Sequence, residues 1–411
     1  MYAIKERYRE KFYRGYLLYT ALETDLLLWV VFDVTFLMEV KKLSADKISL
    51  ITFLSLGFSI LIQYPLLKVI NRIGNKAAVR TGSILFLLSA LCFALAPGFW
   101  VILTGGFLKC IAHTLNAMGP ALLKNRLEKD DKTDQYVAYQ SDANSAVALT
   151  MMLTSLICGF LFEIYAYLPM IVCILFGLLG VFVSFAISRD ESASNEITEA
   201  DSLKKVLEDR KNAGKRSGML MLVSFAVFTA LTGTGLSYVK MNTQSVLMDK
   251  DPGYIVMLLG VVSTLVYFFR ILSNTVMKKK YARYREYSMA AAAFLLIAGL
   301  LMQAALWPFI TGHTAVILSV GYLLIAFVRD PYVTFAQSIS LKSADPKRQQ
   351  SMLIALNGAK KAGALALSAV GTLVLKNSGI SSVMMIMTLA ASANLVLVYA
   401  FIRNSGADQK K

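Results

Sequence analysis

Twelve runs of mostly apolar residues constrain the fold of this chain more than any other feature. A helix that crosses the hydrocarbon core of a bilayer needs about 20 such residues, and each run approaches or exceeds that length. The runs do not alternate apolar and polar residues as membrane β-strands do, so we expect helices. The sequence therefore predicts an all-α membrane protein with twelve transmembrane helices, at 16–40, 48–70, 77–96, 99–123, 136–162, 165–188, 217–240, 254–277, 287–307, 314–339, 352–375 and 380–403.

The distribution of positive charge predicts the orientation of the chain. The net charge is +16, and most of the 42 lysines and arginines lie in loops that an even number of spans places on the side of both termini. Lysine and arginine collect on the cytoplasmic side of membrane proteins. We therefore expect a multi-pass protein of the inner (cytoplasmic) membrane with both termini in the cytoplasm. Because topology accounts for the basic charge, the lipid bilayer is an expected partner and nucleic acid is not.

A polar stretch at residues 189–216 divides the chain into two halves of six spans each. Gly119-Pro120 in the fourth span and Asp330-Pro331 in the tenth are each followed by a polar loop and then by a span rich in small residues. Duplicated six-span halves are typical of membrane transporters. We predict an N-terminal six-helix bundle (1–188), a cytoplasmic linker (189–216) and a C-terminal six-helix bundle (217–411).

Charged residues inside four of the apolar runs mark the candidate site. A charge at bilayer depth is costly, and it usually faces the interior of a helix bundle or a water-filled path for a solute, an ion or a proton. These residues therefore predict a polar path through the membrane. They are Asp25 and Asp33 in the first run, Lys109 with His113 in the fourth, Arg329 and Asp330 in the tenth, and Lys360 and Lys361 in the eleventh.

The loop after the second span contains a short motif, which runs from Leu67 to Lys76. It resembles the signature of the major facilitator superfamily, Gly-x-x-x-Asp-Arg/Lys-x-Gly-x-Arg/Lys. Arg72, Gly74 and Lys76 match it, whereas Leu67 and Asn71 replace the first glycine and the aspartate. Together with the two halves, the motif makes the whole chain similar to this superfamily. The resemblance implies two six-helix bundles that rock about a central site lined by the first, fourth, seventh and tenth helices, with a cytoplasmic gate at Asn71, Arg72, Gly74 and Lys76.

The charges of the first and fourth spans are the candidates for proton coupling, namely Asp25, Asp33 and His113. Trp29 lies four residues from both aspartates and Lys109 lies four residues before His113, so each set shares a helix face. A structural ion pair between Asp25 and Lys109 is the alternative interpretation. For His113, a hydrogen-bonded core histidine is as good an interpretation as a proton relay.

The tenth and eleventh spans supply the other candidates for binding a solute. Pro331 cannot donate a helical hydrogen bond, so it frees the carbonyl of residue 327. Arg329 and Asp330 point about 100° apart on a helix and cannot both face one spot. Asn357 shares a face with Lys361, which we expect to contact the solute, whereas Lys360 is expected to pair with Asp330. The full set of substrate-binding candidates is Trp29, Lys109, Arg329, Asp330, Asn357, Lys360 and Lys361.

These features predict a secondary active transporter that moves a small organic solute by alternating access and is coupled to protons. The basic candidates favour an anionic or zwitterionic solute. Proton-driven efflux of drugs or metabolites is the alternative on the same fold. A membrane enzyme or a receptor is less favoured, because the extracytoplasmic loops are short and poor in the paired acid/base or metal-binding residues that an enzyme needs. No cofactor and no metal are expected, and we expect a monomer.

Glu23 and Arg270, nearer the cytoplasmic end, are expected to snorkel or to form a gate.

Overall fold

A computed structural model describes residues 10–23, 26–95, 98–187, 215–246, 252–284, 287–306, 312–342 and 349–408. Eight helical segments of this part are long and apolar enough to cross a membrane. A π-helical turn, Phe36–Val40, follows α2, and a 3₁₀ turn, Thr133–Gln135, precedes α7. The described residues form thirteen α-helices, namely α1 (Lys11–Leu22), α2 (Trp29–Thr35), α3 (Ala45–Leu61), α4 (Gln63–Leu95), α5 (Phe99–Asn116), α6 (Gly119–Lys129), α7 (Tyr136–Ile164), α8 (Leu168–Ile187), α9 (Lys215–Val246), α10 (Pro252–Tyr284), α11 (Tyr287–Leu306), α12 (Gly312–Lys342) and α13 (Gln349–Asp408).

The predicted first span, 16–40, is interrupted. α1 ends at Leu22 and α2 begins at Trp29, and between them Leu26 and Leu27 have left-handed backbone angles, with φ of 55° and 47°. This conformation costs a leucine roughly 1–2 kcal/mol and cannot continue a right-handed helix. The thiol of Cys173 on α8 donates a hydrogen bond to the carbonyl of Leu26 at 2.9 Å. A neighbouring helix therefore satisfies one of the backbone groups that the break exposes.

Two glycines produce sharp turns inside the longest helices. Gly74 in α4 has φ 77° and ψ 169°, and Gly379 in α13 has φ 74° and ψ 179°. Only glycine adopts this region of backbone space readily, because it has no Cβ. The predicted turn between the second and third spans therefore lies at Gly74, and the predicted turn between the eleventh and twelfth lies at Gly379.

The chain divides into two compact units. One comprises Met1–Ala200 with Lys250–Ile271, and the other comprises Asp201–Asp249 with Leu272–Lys411. α10 therefore contributes its first part to one unit and its second part to the other. The predicted linker, 189–216, lies outside the described residues apart from Lys215 and Arg216, which begin α9. The domain boundaries given above stay a prediction.

An aromatic core holds the first unit together. Here α4 packs on α5 and α8, α1 packs on α7 and α8, and α3 packs on α5. The indole of Trp29 stacks on Phe93 with the ring centroids 4.6 Å apart, and Phe32 and Phe36 meet the same indole edge-on. Trp29, a predicted solute contact, is 5% exposed and is part of this core.

The second unit is built on close helix contacts. α9 packs on α12 and α13, and α11 packs on α12 and α13. Phe228 on α9 stacks on Tyr332 of α12, with the ring centroids 3.7 Å apart. A Cβ added to Gly363 on α13 would come within 2.8 Å of the carbonyl oxygen of Ala226 on α9. The small residue therefore brings the backbones of α9 and α13 together, as is usual between membrane helices.

Candidate functional site

Of the two candidate aspartates in the first span, the structure describes only Asp33. Asp25 lies outside the described residues, and so does the alternative ion pair between Asp25 and Lys109. Asp33 lies on α2 and is half-buried, and its Oδ1 accepts a hydrogen bond from the backbone N–H of Val34 at 2.9 Å. One oxygen of the Asp33 carboxylate is thus bound to the backbone of its own helix.

Lys109 and His113 lie one turn apart on α5, and both are half-buried. The imidazole of His113 meets the ring of Phe86 on α4 edge-on, with the centroids 4.9 Å apart. α5 itself packs on α3 and α4. Both basic groups therefore lie within the first unit, against neighbouring helices.

Glu23 is a candidate whose burial the sequence did not indicate. It follows the last residue of α1 and is only 9% exposed, so its carboxylate does not snorkel. The side-chain amide of Asn116, at the end of α5, donates to Glu23 Oε2 at 2.8 Å. A Cβ added to Gly180 on α8 would come within 2.6 Å of Glu23 Oε1, so that glycine leaves room for the carboxylate.

A chain of hydrogen bonds connects α1 with α7. The hydroxyl of Tyr16 donates to Gln140 Oε1 at 3.1 Å, and Gln140 Nε2 donates to Asn144 Oδ1 at 3.3 Å. Tyr16 is 2% exposed and Gln140 is 7% exposed. The first unit therefore contains a row of hydrogen-bonded polar side chains in addition to the charged candidates taken from the sequence.

Ion pairs hold one end of the first unit. Arg126 contacts Asp130 at 3.0 Å and Glu10 at 3.2 Å, and Lys132 contacts Glu10 at 3.0 Å. The hydroxyl of Tyr13 donates to Asp130 Oδ2 at 2.8 Å. Burial alone would raise the pKa of Asp130, but the hydrogen bonds from Tyr13 and Arg126 and the charges of Arg126 and Lys132 hold that pKa below its usual range. The start of α1 is thus tied to the end of α6 and the turn that follows it.

The four residues of the predicted gate motif surround the turn in α4. Arg72 is exposed, Asn71 and Lys76 are half-buried, and Gly74 is buried. The backbone angles of Gly74 explain why the motif has a glycine at this position. A gating role for Asn71, Arg72 and Lys76 stays a prediction.

Two polar residues of α10, which the sequence interpretation missed, form hydrogen bonds with α12 just before Pro331. The hydroxyl of Ser273 donates to the carbonyl of Phe327, the group that Pro331 leaves without its helical donor. The amide of the next residue, Asn274, donates to Asp330 Oδ2 at 3.4 Å. The signal in the sequence is this Ser-Asn pair inside an otherwise mostly apolar run.

The neighbours Arg329 and Asp330 differ in burial. Asp330 is 7% exposed and Arg329 is half-buried, in keeping with side chains that point about 100° apart. Tyr332, two residues further along α12, is fully buried, and its hydroxyl is hydrogen-bonded to Ser224 on α9. This stretch of α12 is therefore packed against both α9 and α10.

Lys360, Lys361 and Asn357 are all half-buried on α13. Gly363 marks the side of α13 that packs on α9. At about 100° per residue, Lys360 lies about 60° from Gly363, whereas Lys361 lies about 160° from it. Asn357 lies about 40° from Lys361. Lys360 therefore lies towards the α9 side, and Lys361 and Asn357 lie on the other side of α13.

No three His, Cys, Asp or Glu side chains of the described part of the chain come together in a way that could hold a metal ion.

The comparisons with known proteins identify the family. The family model of the Major Facilitator Superfamily matches residues 19–360, and no curated protein matches the chain significantly. The crystal structure of a bacterial homologue of the iron transporter ferroportin, in an outward-facing state, has a TM-score of 0.73 at 14% identity, over 96% of this chain and 98% of that chain. The crystal structure of the human organic anion transporter MFSD10 (TETRAN) has a TM-score of 0.69 at 13% identity, over 95% of this chain and 100% of that chain.

Similarity at these identities shows the fold, and it confirms the predicted all-helical membrane protein with the major facilitator fold. The family is one of secondary transporters and not of enzymes, as the sequence predicted. Because the family model covers more than half of the residues, this chain belongs to the major facilitator superfamily.

Proposed function

We propose that this chain moves a small organic solute with an anionic group across the membrane by alternating access, coupled to protons. The observation that carries the proposal is the set of cations inside apolar helices: Lys109 on α5, Arg329 on α12, and Lys360 and Lys361 on α13. Charges at bilayer depth are expensive and are kept where function needs them. Lysine and arginine bind carboxylate and phosphate groups and repel cations.

The two similar structures are of proteins whose names refer to different transported substances. One carries the name of an organic anion transporter, which agrees with an anionic solute. The other is a homologue of an iron transporter. The basic side chains favour the anion, because a metal cation would be repelled by the same charges.

Proton coupling needs a group that exchanges a proton when the solute binds. Asp25, Asp33 and His113 are the candidates that we take from the sequence. A carboxylate holds its proton more strongly when it is desolvated and more weakly when a cation approaches. An anionic solute that occupies the nearby cations therefore changes the proton affinity of the carboxylate, which couples the two.

The experiment is a thermal-stability screen of the purified protein, with lactate, succinate and glycerol 3-phosphate as anions, glycerol as the uncharged control, and rhodamine 6G as a cationic drug. We expect an organic anion to raise the melting temperature and to compete for uptake into proteoliposomes. Stabilisation by rhodamine 6G alone would favour the alternative function, proton-driven efflux of drugs.

We also propose that the chain lies in the inner (cytoplasmic) membrane with both termini in the cytoplasm. Lys47 on α3 and Lys129 on α6 are both exposed and lie on opposite predicted sides. A membrane-impermeant maleimide should label Lys47→Cys in intact cells and leave Lys129→Cys unlabelled, with the wild-type chain as the background. Labelling of Lys129→Cys alone would reverse the proposed orientation.

A further inference from the structure

α2 is a short helix with an irregular backbone at each end. It spans only Trp29–Thr35, and it begins directly after the left-handed residues Leu26 and Leu27. At its other end it passes into the π turn Phe36–Val40, in which the backbone hydrogen bonds span five residues instead of four. Single π turns next to α-helical residues are rare and are frequent at functional sites. α2 is therefore a separate segment of the first apolar run, bounded by two departures from the α-helix.

The local sequence favours a helix where the structure has the break. Leu26, Leu27 and Leu28 are strong helix formers, yet the first two have left-handed backbone angles. A left-handed leucine is disfavoured against a right-handed one by roughly tenfold. Leu28 already has right-handed angles, with φ −64° and ψ −28°. A helix that continues through residues 26 and 27 is therefore a nearby alternative conformation of this segment.

A neighbouring helix opposes this preference. The thiol of Cys173 on α8 donates to the carbonyl of Leu26 at 2.9 Å, and the N–H of Trp29 donates to the same carbonyl at 3.1 Å. In a continuous α-helix this carbonyl would instead accept from the N–H of Val30, four residues further on. The contact from α8 thus offsets the helical preference of the leucines. Two opposing preferences of this kind are what a two-state element needs.

α1 and α2 are attached to different parts of the first unit. On α1, the hydroxyl of Tyr16 donates to Gln140 of α7 at 3.1 Å. On α2, the indole of Trp29 stacks on Phe93 of α4 with the centroids 4.6 Å apart. Because the helix is interrupted between them, α2 can change its position while α1 keeps its contacts. Asp33 lies on α2 and moves with it.

We propose that α2 moves as a separate segment of the first unit, and that it exchanges between the broken arrangement of the structure and one in which residues 26 and 27 are helical. In the second arrangement the carbonyl of Leu26 turns into the helix and the thiol of Cys173 loses its acceptor. Each helical residue turns the chain by about 100°, so α2 rotates, and the π turn Phe36–Val40 takes up the change. This inference goes beyond the proposed function, because it depends neither on the solute nor on protons.

The direct test is fluorine NMR of the purified protein in lipid nanodiscs, with 5-fluorotryptophan in place of tryptophan. Trp100→Phe combined with Trp307→Phe leaves Trp29 as the only one of three tryptophans. Its stacking on Phe93 makes its signal sensitive to the position of α2. We expect saturation transfer to reveal a second signal in exchange with the first, with no solute present. A single signal without an exchange partner would overturn the proposal, and this measurement needs no substitution at the break.

A pair of variants tests whether the break is the joint. Leu26→Gly and Leu26→Ala both remove the leucine side chain, but only glycine adopts left-handed angles freely. The broken arrangement should therefore be favoured about tenfold more in Leu26→Gly than in Leu26→Ala. Leu28→Gly and Leu28→Ala are the matched pair, because Leu28 is right-handed in both arrangements, and their population ratios should agree. Equal ratios in the two Leu26 variants would exclude a joint at this position.

The role of the thiol is tested by Cys173→Ala in the same fluorine experiment. Loss of the hydrogen bond to Leu26 should raise the population of the second arrangement by roughly two- to tenfold. Cys110→Ala is the matched control, since the thiol of Cys110 also donates to a backbone carbonyl, that of Ser55 on α3, at 3.3 Å. An unchanged population in Cys173→Ala, or an equal rise in both variants, would overturn the assigned role. This test does not depend on the folding of variants of the buried Leu26.

Discussion

The hydroxyl of Ser273 on α10 donates a hydrogen bond to the backbone carbonyl of Phe327 on α12. Pro331 lies four residues after Phe327 and has no N–H to offer this carbonyl. One helix therefore supplies the donor that the other has lost. Asn274, the residue after Ser273 on α10, also donates a hydrogen bond to Asp330 on α12. Two consecutive residues of α10 are therefore hydrogen-bonded to α12 close to Pro331.

Removal of the Ser273 hydroxyl should destabilise the protein. Ser273→Ala leaves a buried carbonyl unpaired, which costs about 1–3 kcal/mol. In a Pro331→Ala background the helix regains its own donor, so the same substitution should then cost much less. Unfolding of the four proteins in detergent gives the coupling energy directly. Ser382→Ala removes an exposed hydroxyl from α13 and serves as the control. Equal costs of Ser273→Ala in both backgrounds would contradict this account.

Gly74 should tolerate no other residue without a cost. Its φ of 77° with ψ of 169° lies in a region that is open essentially to glycine alone, so Gly74→Ala should cost about 1–3 kcal/mol. Gly74→Asn should cost as much, because asparagine is favoured in the left-handed helical region and not in this one. Gly57→Ala on α3, where a Cβ meets nothing within 4 Å, should stabilise by up to about 1 kcal/mol. Thermal unfolding compares the three. A neutral Gly74→Asn would show that the turn has another conformation.

The stabilisation from Asp130 should depend on pH. Its pKa is lower in the folded protein than in the unfolded chain. Its contribution is therefore fully present above the ordinary carboxyl pKa of about 3.9 and is lost as the pH falls through the lowered value. Asp130→Asn should lower stability at neutral pH by about 1 kcal/mol, since the group is partly exposed.

The measurement for Asp130 is the difference in melting temperature between wild type and Asp130→Asn, from neutral pH to about pH 3, where it should shrink. Asp131→Asn is the matched control, because Asp131 is exposed and its φ of 52° suits asparagine. A difference that grows as the pH falls would have the wrong sign for a lowered pKa.

Lys360 and Lys361 should differ in role although they are adjacent. Lys361→Ala should leave the melting temperature nearly unchanged and should weaken stabilisation by the organic anion that binds wild type. Lys360→Ala should lower stability by roughly 3–5 kcal/mol if it leaves a buried partner charge uncompensated, and adding Asp330→Ala should recover part of that loss. Anion binding at wild-type strength in Lys361→Ala, or no coupling energy between Lys360 and Asp330, would contradict these roles.

The sequence predicts the helices well where hydropathy decides them and poorly where packing decides them. The runs at 136–162, 165–188 and 287–307 closely match α7, α8 and α11, because uninterrupted apolar residues leave a helix as the only way to pair the backbone in lipid. The break between α1 and α2 was not predicted, since Leu26 and Leu27 are strong helix formers. Neighbouring groups such as the Cys173 thiol support that break, and they come from distant parts of the sequence.

Some features of the candidate site follow from the sequence, whereas others depend on how the helices pack. The freed carbonyl of Phe327 follows from the position of Pro331 alone, but its donor, Ser273, depends on how α10 packs on α12. The burial of Glu23 depends on Asn116 and on the missing side chain of Gly180, neither of which is near it in the sequence. Charge inside an apolar run thus selects candidate residues, and tertiary packing decides what each of them contacts.

The most direct test of the central claim is solute uptake by proteoliposomes with and without an imposed pH gradient, using the organic anion that stabilises the purified protein most. A pH-sensitive dye inside the vesicles records proton movement in the same experiment. Proton-coupled transport predicts that the gradient drives the anion above its equilibrium level and that protons move with it in a fixed ratio. The same final level of anion with and without the gradient, and no dye signal during uptake, would contradict the account.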